Sequence, residues 1–370
     1  MKNALNRFIH RSGGLYRIVN VAKKERVAID VKLAQDRNVT IGDVAALAGV
    51  SVGTVSNVIN GRANVTEQRR QKVNEAIKTL SFTGSLLAKG MRAQRYPVVG
   101  LCVPNATSSN FVSMSDMLEE HAAGANFELV QMITRHDHAR EYQRIERLIA
   151  SRASGVLLLP TLEAEPVLEL LRRANMPTVV INRFVAYERS FDQVLVDHRG
   201  AFSRATRQLI EWGHRRVLVA TQFPSFSVVQ QNIAGIRQAI EESGEDVHLS
   251  IMKCGSSREN FQRMLAAELQ GPPCKTVLVA SSSLLAAWSI ETFRELGLRC
   301  PEEISLLSAE EPDWAVAAWP SLSCIQQPTR ELARISWDLL SRRVAGGLDE
   351  AVTIRCDARV NFRQSVARPD

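Results

Sequence analysis

The alternation of short apolar runs with helical segments after Pro97 constrains the fold most strongly. Between the runs lie segments with helical periodicity, such as 140–153 and 200–213. Strand and helix in alternation predict parallel sheets with helices on both faces. Nine strands are too many for one small sheet, so we expect an α/β body of two lobes with a cleft between them. The nine runs span 98–103, 127–133, 155–160, 177–182, 193–197, 215–221, 247–253, 276–281 and 303–308.

Positive charge is concentrated at the amino-terminal end of the chain. Residues 1–96 contain 17 Lys and Arg against 6 Asp and Glu, a surplus of 11; because the whole chain carries +7, the remainder carries 7 − 11 = −4. A basic head on a mildly acidic body predicts that the head binds a polyanion. Nucleic acid is the commonest such partner, and an anionic membrane surface is the alternative.

Two short helices joined by a tight turn are predicted within the basic part. In the first, "VTIGDVAALAGVS", Thr40 is a candidate N-cap with Asp43 three residues later, and Gly49 ends the helix. The predicted inner face of this helix consists of Ile41, Val44, Ala45, Leu47 and Ala48.

Ser51 is the next candidate N-cap, and the second helix has Val55, Val58 and Ile59 as its inner stripe. This arrangement is a helix-turn-helix unit, whose second helix lies in the major groove. A third helix, from about Thr66 to Leu80, closes a small core with Val73, Ala76, Ile77 and Leu80.

The outer face of the second helix carries small side chains, namely Val52, Gly53, Ser56 and Asn57. Such side chains allow close approach to base edges and phosphates, where long ones would hold the helix away. Asn57 can pair with an adenine edge, and Val52 can touch a thymine methyl group. The hydroxyl groups of Ser51, Thr54 and Ser56 can donate to phosphates. A three-helix bundle without a DNA-binding role is the alternative.

Residues 39–96 resemble the head of the lactose-repressor (LacI/GalR) family of bacterial transcription regulators. The resemblance lies in "VTIGDVAALAGVSVGTVSNVIN" and in Val65, Arg70, "KV" at 72–73, "AI" at 76–77 and Leu80. In the body, "VDHRGAFSRATRQLIEWGHRRVLVA" is similar to the central block of that family, and the resemblance extends to about residue 364. It implies a DNA-binding regulator with a periplasmic-binding-protein-like body.

The resemblance also implies a hinge helix at residues 81–95 that forms on specific DNA and opens the minor groove with an apolar side chain. Gly84 and Ser85 replace the usual Pro-Asn, Ala88 matches, and Met91 replaces the usual wedging leucine. Methionine is apolar and flexible enough for this role. A plain flexible linker, in which Lys89, Arg92 and Arg95 contact phosphates only, is the alternative. The predicted DNA-contacting residues are Thr40, Ser51, Val52, Gly53, Thr54, Ser56, Asn57, Asn60, Ser85, Ala88 and Met91.

The cleft residues depart from the family pattern. Asn232 stands at the position of an arginine that commonly binds the ligand, Ser281-Ser282 replaces "ND", and Glu310-Glu311 replaces a pair of aspartates. These changes put an ordinary sugar effector in doubt. We expect either a different effector or a cleft that has lost its effector and serves only dimerisation. The predicted effector-binding residues are Phe111, Asn182, Arg183, Asn232, Ser282 and Glu310.

Other classes of protein are less consistent with the sequence. GxSxG, HExxH, GxxxxGKS and GxGxxG do not occur, and His136 and His138 are expected to be exposed loop residues. We therefore expect no enzymatic activity, metal or cofactor. An extracytoplasmic solute receptor would need a signal peptide and no DNA-binding head. Six scattered cysteines and the lack of an apolar leader favour buried thiols in a cytoplasmic protein, associated with the nucleoid through DNA.

The predicted organisation has four parts: a basic, disordered extension (1–37), a helix-turn-helix domain (38–81), a hinge (82–96) and a two-lobed effector-binding and dimerisation domain (97–370). The extension could alternatively be an arm that contacts DNA phosphates, or the product of an upstream start codon. The predicted function is repression of transcription by a homodimer on a palindromic operator, controlled by a small molecule in the cleft. Trailing leucine heptads are absent, so we expect no tetramer-forming tail.

Overall fold

The computed structural model describes residues 39–59, 65–80, 82, 96–106, 108–183, 185, 190–270, 274–347 and 349–368, together with the backbone of 10–12 and 15–17. The chain divides into two compact units, Met1–Gln94 and Arg95–Asp370.

A short antiparallel hairpin lies within the extension that the sequence predicts to be disordered. Its strands are β1 (His10–Ser12) and β2 (Leu15–Arg17), and His10 pairs with Arg17. These six residues differ from the predicted disorder, because strands of three residues carry too little periodicity to be recognised in the sequence. The other residues of 1–38 lie outside the described part of the chain.

Three helices form the head: α1 (Ile41–Ala48), α2 (Val52–Ile59) and α3 (Glu67–Thr79). The capping box is present as predicted, since Thr40 Oγ1 accepts from the Asp43 N–H at 3.3 Å and Asp43 Oδ2 accepts from the Thr40 N–H at 2.8 Å. Gly49 ends α1 with a φ of +65°. The Ser51 hydroxyl accepts from the Thr54 N–H at 3.2 Å and thereby caps α2.

The core of the head contains most of the predicted apolar residues. Leu47 is an exception, because its side chain is 38% exposed on the outer side of α1. In so short a helix, Val44, Ala45 and Ala48 already fill the inner face, which leaves Leu47 outside the packed arc. The buried residues are Val44, Ala45, Ala48, Val55, Val58, Val73, Ala76, Leu80 and Phe82.

The body alternates strands and helices as the sequence predicts. Its elements are β3 (Tyr96–Val103), α4 (Ser109–Gly124), β4 (Glu128–Ile133), α5 (His138–Ala150), β5 (Ala153–Leu158), α6 (Glu165–Arg173), β6 (Thr178–Ile181), β7 (Asp192–Val196), α7 (His198–Glu211), β8 (Arg216–Thr221), α8 (Ser227–Ser243), β9 (His248–Lys253), α9 (Arg258–Glu268), β10 (Thr276–Ala280), α10 (Ser283–Leu296), β11 (Ile304–Ser308), β12 (Ser323–Gln326), α11 (Thr329–Val344), β13 (Thr353–Cys356) and β14 (Arg359–Asn361).

Two six-stranded sheets define two lobes. The first sheet has the order β13-β7-β6-β5-β3-β4, and the second has the order β14-β12-β11-β10-β8-β9. Both faces are buried: in β8, for example, Val217 and Val219 pack into one apolar cluster, and Leu218 and Ala220 into another. The chain crosses between the lobes after β7, after β12 and after β13.

All nine strands predicted for the body are present, but three further strands of the body were missed. The segments β12, β13 and β14 have only three or four residues, and β13 and β14 lie at sheet edges. Strand β14 also pairs antiparallel with β12, whereas the other pairs in both lobes are parallel. Runs this short carry little periodicity, which is why the sequence did not reveal them.

No single helix in the described part of the chain is long and apolar enough to cross a membrane; α1 and α2 meet that criterion only as a pair, which is bent by 105°. Four of the six cysteines are buried as expected. Cys274 is exposed and Cys300 half-buried, so the prediction that all six are buried was wrong. Cys274 lies in the loop before β10, where the neighbouring core does not cover it.

Candidate functional site

The outer face of α2 has the small, open surface that the sequence predicts. Val52 is 49% exposed, Ser51 and Gly53 are exposed, and Thr54 and Asn57 are half-buried at its margin. Thr40 is exposed at the start of α1. The helix contains no Lys or Glu, so its backbone can approach a flat or grooved partner closely.

Ser56 is not on this face, and its predicted exposure was wrong. Only 8% of Ser56 is exposed. Ser56 is adjacent to the buried Val55 and lies one helical turn before Ile59, which packs against the core, so it stands at the edge of the inner face of α2. Ser56 is therefore part of the inner surface of the head. The predicted DNA-contacting residues Asn60, Ser85, Ala88 and Met91 lie outside the described residues.

A cavity of about 540 Å³ lies between the two lobes of the body. Its walls come mainly from segments that follow the carboxyl ends of strands in both sheets, the usual place for a ligand in parallel α/β folds. Of the six predicted effector-binding residues, five line it: Phe111, Asn182, Arg183, Ser282 and Glu310.

Asn232 does not line this cavity, and its predicted position was wrong. It is 2% exposed in α8, on the same face as Gly235 and Ile236. This face packs against α7 so closely that a Cβ at Gly235 would lie 2.2 Å from the Arg199 carbonyl oxygen. The Asn232 Oδ1 atom is buried without a hydrogen bond in the described residues.

Arg183 is the cation of the cavity wall. Its guanidinium donates to the Pro160 carbonyl oxygen, lies 3.5 Å from His136 Nδ1, and sits with Cζ 4.2 Å from the centre of the Phe226 ring. Burial lowers the pKa of Arg183 to about 10, and the charge of Glu141 partly offsets this effect. Among the described residues, no carboxylate is bonded to Arg183.

Three rings form a cluster beside Arg183. The His136 ring lies 4.9 Å from Phe223 and 5.2 Å from Phe226, and the two phenylalanine rings are 4.9 Å apart. Burial, with a smaller contribution from the charge of Arg183, lowers the pKa of His136 to about 4, so the imidazole is neutral at pH 7. His136 lies in a loop as predicted, but it is half-buried and not exposed. His138 is exposed as predicted, but it begins α5 and is not a loop residue.

The polar groups of the wall are largely bonded to other protein atoms. Asn182 Nδ2 donates to Gln327 Oε1 at 3.3 Å, and Asn182 Oδ1 lies 3.3 Å from His198 Nε2. Glu310 Oε2 accepts from the Ser283 N–H at 3.1 Å, and burial raises the pKa of Glu310. The Ser282 hydroxyl caps α10 by accepting from the Leu285 N–H at 3.3 Å.

Several residues of the wall were not predicted from the sequence, notably His136, Phe223, Phe226, Trp314 and Gln327. The available signal was the pair of phenylalanines in "FPSF", which is separated from the end of β8 by one residue, at the same sheet edge as the predicted residues. In the described part of the chain, no group of three or more His, Cys, Asp or Glu is arranged to hold a metal ion.

Comparison with known protein families identifies both parts of the chain. The family of bacterial regulatory proteins, lacI family, matches residues 40–85, and the periplasmic binding proteins and sugar binding domain of LacI family match residues 96–344. The chain belongs to the LacI family. Its helix-turn-helix is the DNA-binding domain, and its two-lobed body is the effector-binding domain of a transcriptional regulator.

Relatives span nearly the whole chain. The HTH-type transcriptional repressor PurR of Photobacterium profundum is 26% identical over 335 residues, which cover 88% of this chain and 98% of that protein. The HTH-type transcriptional regulator KdgR of Bacillus subtilis is 25% identical over 333 residues, covering 88% of this chain and 97% of the relative. These relatives are transcriptional regulators and not enzymes.

Solved LacI-family structures share the fold. The complex of the transcriptional regulator CelR with cellobiose is 25% identical and has a TM-score of 0.65. The match covers 88% of this chain and 99% of that one. A Lac repressor dimer bound to operator and an anti-inducer is 19% identical, with a TM-score of 0.78 and coverage of 90% of this chain and all of that one. Glu310, one of the two glutamates in place of the family's aspartates, lies in the cavity; the other, Glu311, pairs with Arg363.

Proposed function

We propose that this LacI-family regulator represses transcription as a homodimer on a palindromic operator in the cytoplasm, and that a small molecule in the interlobe cavity controls its affinity for DNA. The observation that carries the proposal is the open face of α2, where small side chains stand next to the tight turn after α1. This surface suits insertion into a major groove.

Individual side chains on this face have distinct proposed roles. Asn57 pairs with a base edge, Val52 touches a thymine methyl group, and Gly53 allows close approach of the helix. The hydroxyl groups of Thr40, Ser51 and Thr54 contact phosphates. No contact is proposed for Ser56, because its side chain is buried in the head.

Residues after the head would complete the interface. By the family resemblance, Asn60 extends the contact made by α2, and Ser85, Ala88 and Met91 belong to a hinge helix that forms on specific DNA. Two such hinges, one from each protomer, would place both Met91 side chains at the central base step of the operator and widen the minor groove there.

Two-fold symmetry follows from the size of the head. A helix of eight residues reaches only a few base pairs, so pairing two heads multiplies discrimination between sites. The Lac repressor with the same fold is a dimer bound to operator, which is consistent with this arrangement. A palindromic site with one half-site per protomer is therefore expected.

The composition of the cavity favours a functioning effector site. It argues against the alternative, a cleft that has lost its effector. It has a volume of about 540 Å³ and combines aromatic walls with a guanidinium, a carboxyl and several hydroxyl groups. Phe111, Asn182, Arg183, Ser282 and Glu310 are the proposed contacts. A ligand that binds two lobe arrangements unequally would shift the balance between them and thereby bias hinge formation.

Stoichiometry on DNA tests the proposed dimer. Duplexes recovered from a random pool by the full chain are mixed with protein, and the mass of the complex is measured by sedimentation. Two protomers per duplex are expected, and scrambling one half-site should weaken binding by about 10³-fold or more, towards the non-specific level. One protomer per duplex, or no loss on scrambling, would contradict the proposal.

A further inference from the structure

We propose that the effector is a small carboxylic acid carried on a flat ring. The inference rests on the proposed effector function of the interlobe cavity and names the chemical class of its ligand. It combines three features of the wall: a cation without a bonded carboxylate, a cluster of rings, and polar groups that are already bonded to one another.

An anionic ligand would stabilise the positive charge of Arg183. Its guanidinium faces a carbonyl oxygen, a neutral imidazole and an aromatic ring. The nearby carboxylate of Glu141 is held elsewhere, because its two oxygens accept from the Thr161 N–H at 2.9 Å and from the Thr161 hydroxyl at 2.8 Å. A ligand carboxylate would give Arg183 the charge-assisted, bidentate partner that it lacks among the described residues.

The ring cluster calls for a flat, apolar frame. His136, Phe223 and Phe226 stack on one another beside Arg183, and Phe223 keeps 38% of its surface exposed. Phe111 and Trp314 supply further aromatic surface to the same cavity. Rings prefer offset or edge contacts with other rings, so a planar ligand gains more here than a puckered one.

The remaining polar groups are poorly placed for a sugar. Binding of neighbouring hydroxyls requires amides and carboxylates that are free to bond both, yet both side-chain polar atoms of Asn182 are directed at Gln327 and His198. One oxygen of Glu310 is bonded to the Ser283 N–H. Burial raises the pKa of Glu310, which reduces the repulsion that a second carboxylate in the cavity would meet.

Four probes separate charge, planarity and sugar character: benzoate, its neutral analogue benzamide, the puckered cyclohexanecarboxylate, and glucose. Isothermal titration of the full chain at millimolar probe concentrations measures each affinity. Benzoate should bind most tightly, about 10-fold or more above benzamide, because benzamide lacks the charged hydrogen bonds to Arg183. Cyclohexanecarboxylate should be weaker than benzoate by several-fold, and glucose should give no heat.

Variants of Arg183 test whether this residue causes the preference for benzoate over benzamide. Arg183→Gln should bind benzoate and benzamide equally, and Arg183→Lys, which retains the charge, should keep a reduced preference for benzoate. Arg263→Gln removes an exposed arginine on α9 that does not line the cavity, and it should behave as the wild type. Melting curves of each variant verify folding, and the lysine variant provides the test if the glutamine variant unfolds.

Other outcomes would overturn the proposal. Equal binding of benzoate and benzamide by the wild type would remove the role of charge, tighter binding of glucose would point to a sugar, and no heat from any probe would exclude the class. The operator selection is measured separately with the same protein. Recovery of a symmetric operator without binding of ring acids would reject the ligand class alone, whereas failure to recover one would reject the proposed repression by a dimer on a palindromic operator.

Discussion

The Arg183 guanidinium lies 4.2 Å from the centre of the Phe226 ring, and the two residues belong to opposite lobes of the body. Arg183 follows β6 of the first sheet, and Phe226 follows β8 of the second. His136, from the first lobe, also stacks on Phe226. Groups that line the cavity therefore hold the lobes together, so an occupant of the cavity acts directly on the contacts that set the angle between them.

Replacing Phe226 with leucine should open the cleft. The substitution removes the ring on which Arg183 and His136 rest and costs about 1 kcal/mol or more of interlobe attraction. We expect a larger radius of gyration by small-angle X-ray scattering. Phe261→Leu, at a fully buried site within the second lobe, is the matched control and should lower stability without changing the dimensions. Equal radii for both variants and the wild type would contradict the account.

Replacing Asn57 with alanine should relax base preference at one position of each operator half-site. The loss at that base pair should be about 1–3 kcal/mol, while non-specific affinity stays unchanged. Binding to operators with each base in turn measures the effect. Asn74→Ala, on the exposed side of α3, is the control. Unchanged selectivity in the Asn57 variant would remove this residue from base recognition.

Replacing Met91 with alanine should weaken specific binding by about 1–3 kcal/mol, comparable to one mismatched base pair. The reason is loss of the apolar wedge between base steps. Met91 lies outside the described residues, so this prediction depends on the sequence alone. Titration of operator and of random duplex separates the two kinds of binding. An unaltered operator affinity would favour a plain linker that contacts phosphates.

Glu141 should make stability depend on pH. Burial raises its pKa from 4.5 to about 7, so between these values the folded protein binds more protons than the unfolded chain. Its contribution is therefore most favourable below pH 4.5, and stability is lost as the pH rises to about 7. The cost should reach about 1–3 kcal/mol.

Burial lowers the pKa values of His198 and His214 to about 4, so these two residues make stability increase as the pH rises. Comparison with Glu141→Gln isolates the effect of Glu141, because both proteins contain these histidines. Urea unfolding at several pH values gives the free energies. As the pH rises from 4.5 to 7, the free energy of unfolding of the wild type should fall relative to that of the variant. A difference that is constant with pH would show that Glu141 ionises normally.

Much of the fold follows from local patterns, but the detail of the sites does not. The capping box at Thr40 and the strands of the two lobes have strong local signals. Ser56 and Asn232 are buried because the edge of the helix on which each lies packs against another helix. The identity of a polar residue in the sequence does not show whether its edge of the helix is packed or open. The ring cluster around His136 requires a φ of +60° at that residue and the approach of a second lobe, both of which are set by tertiary structure.

Selection of binding sites from random duplexes, with the full chain and at two salt concentrations, tests whether the protein recognises a palindromic operator as a dimer. We expect a palindrome with a fixed central step at both salt concentrations, since base contacts persist when salt screens the phosphate contacts. Recovery of sequence-blind binding that disappears at the higher salt concentration would contradict this expectation, because the head would then bind phosphates without recognising an operator.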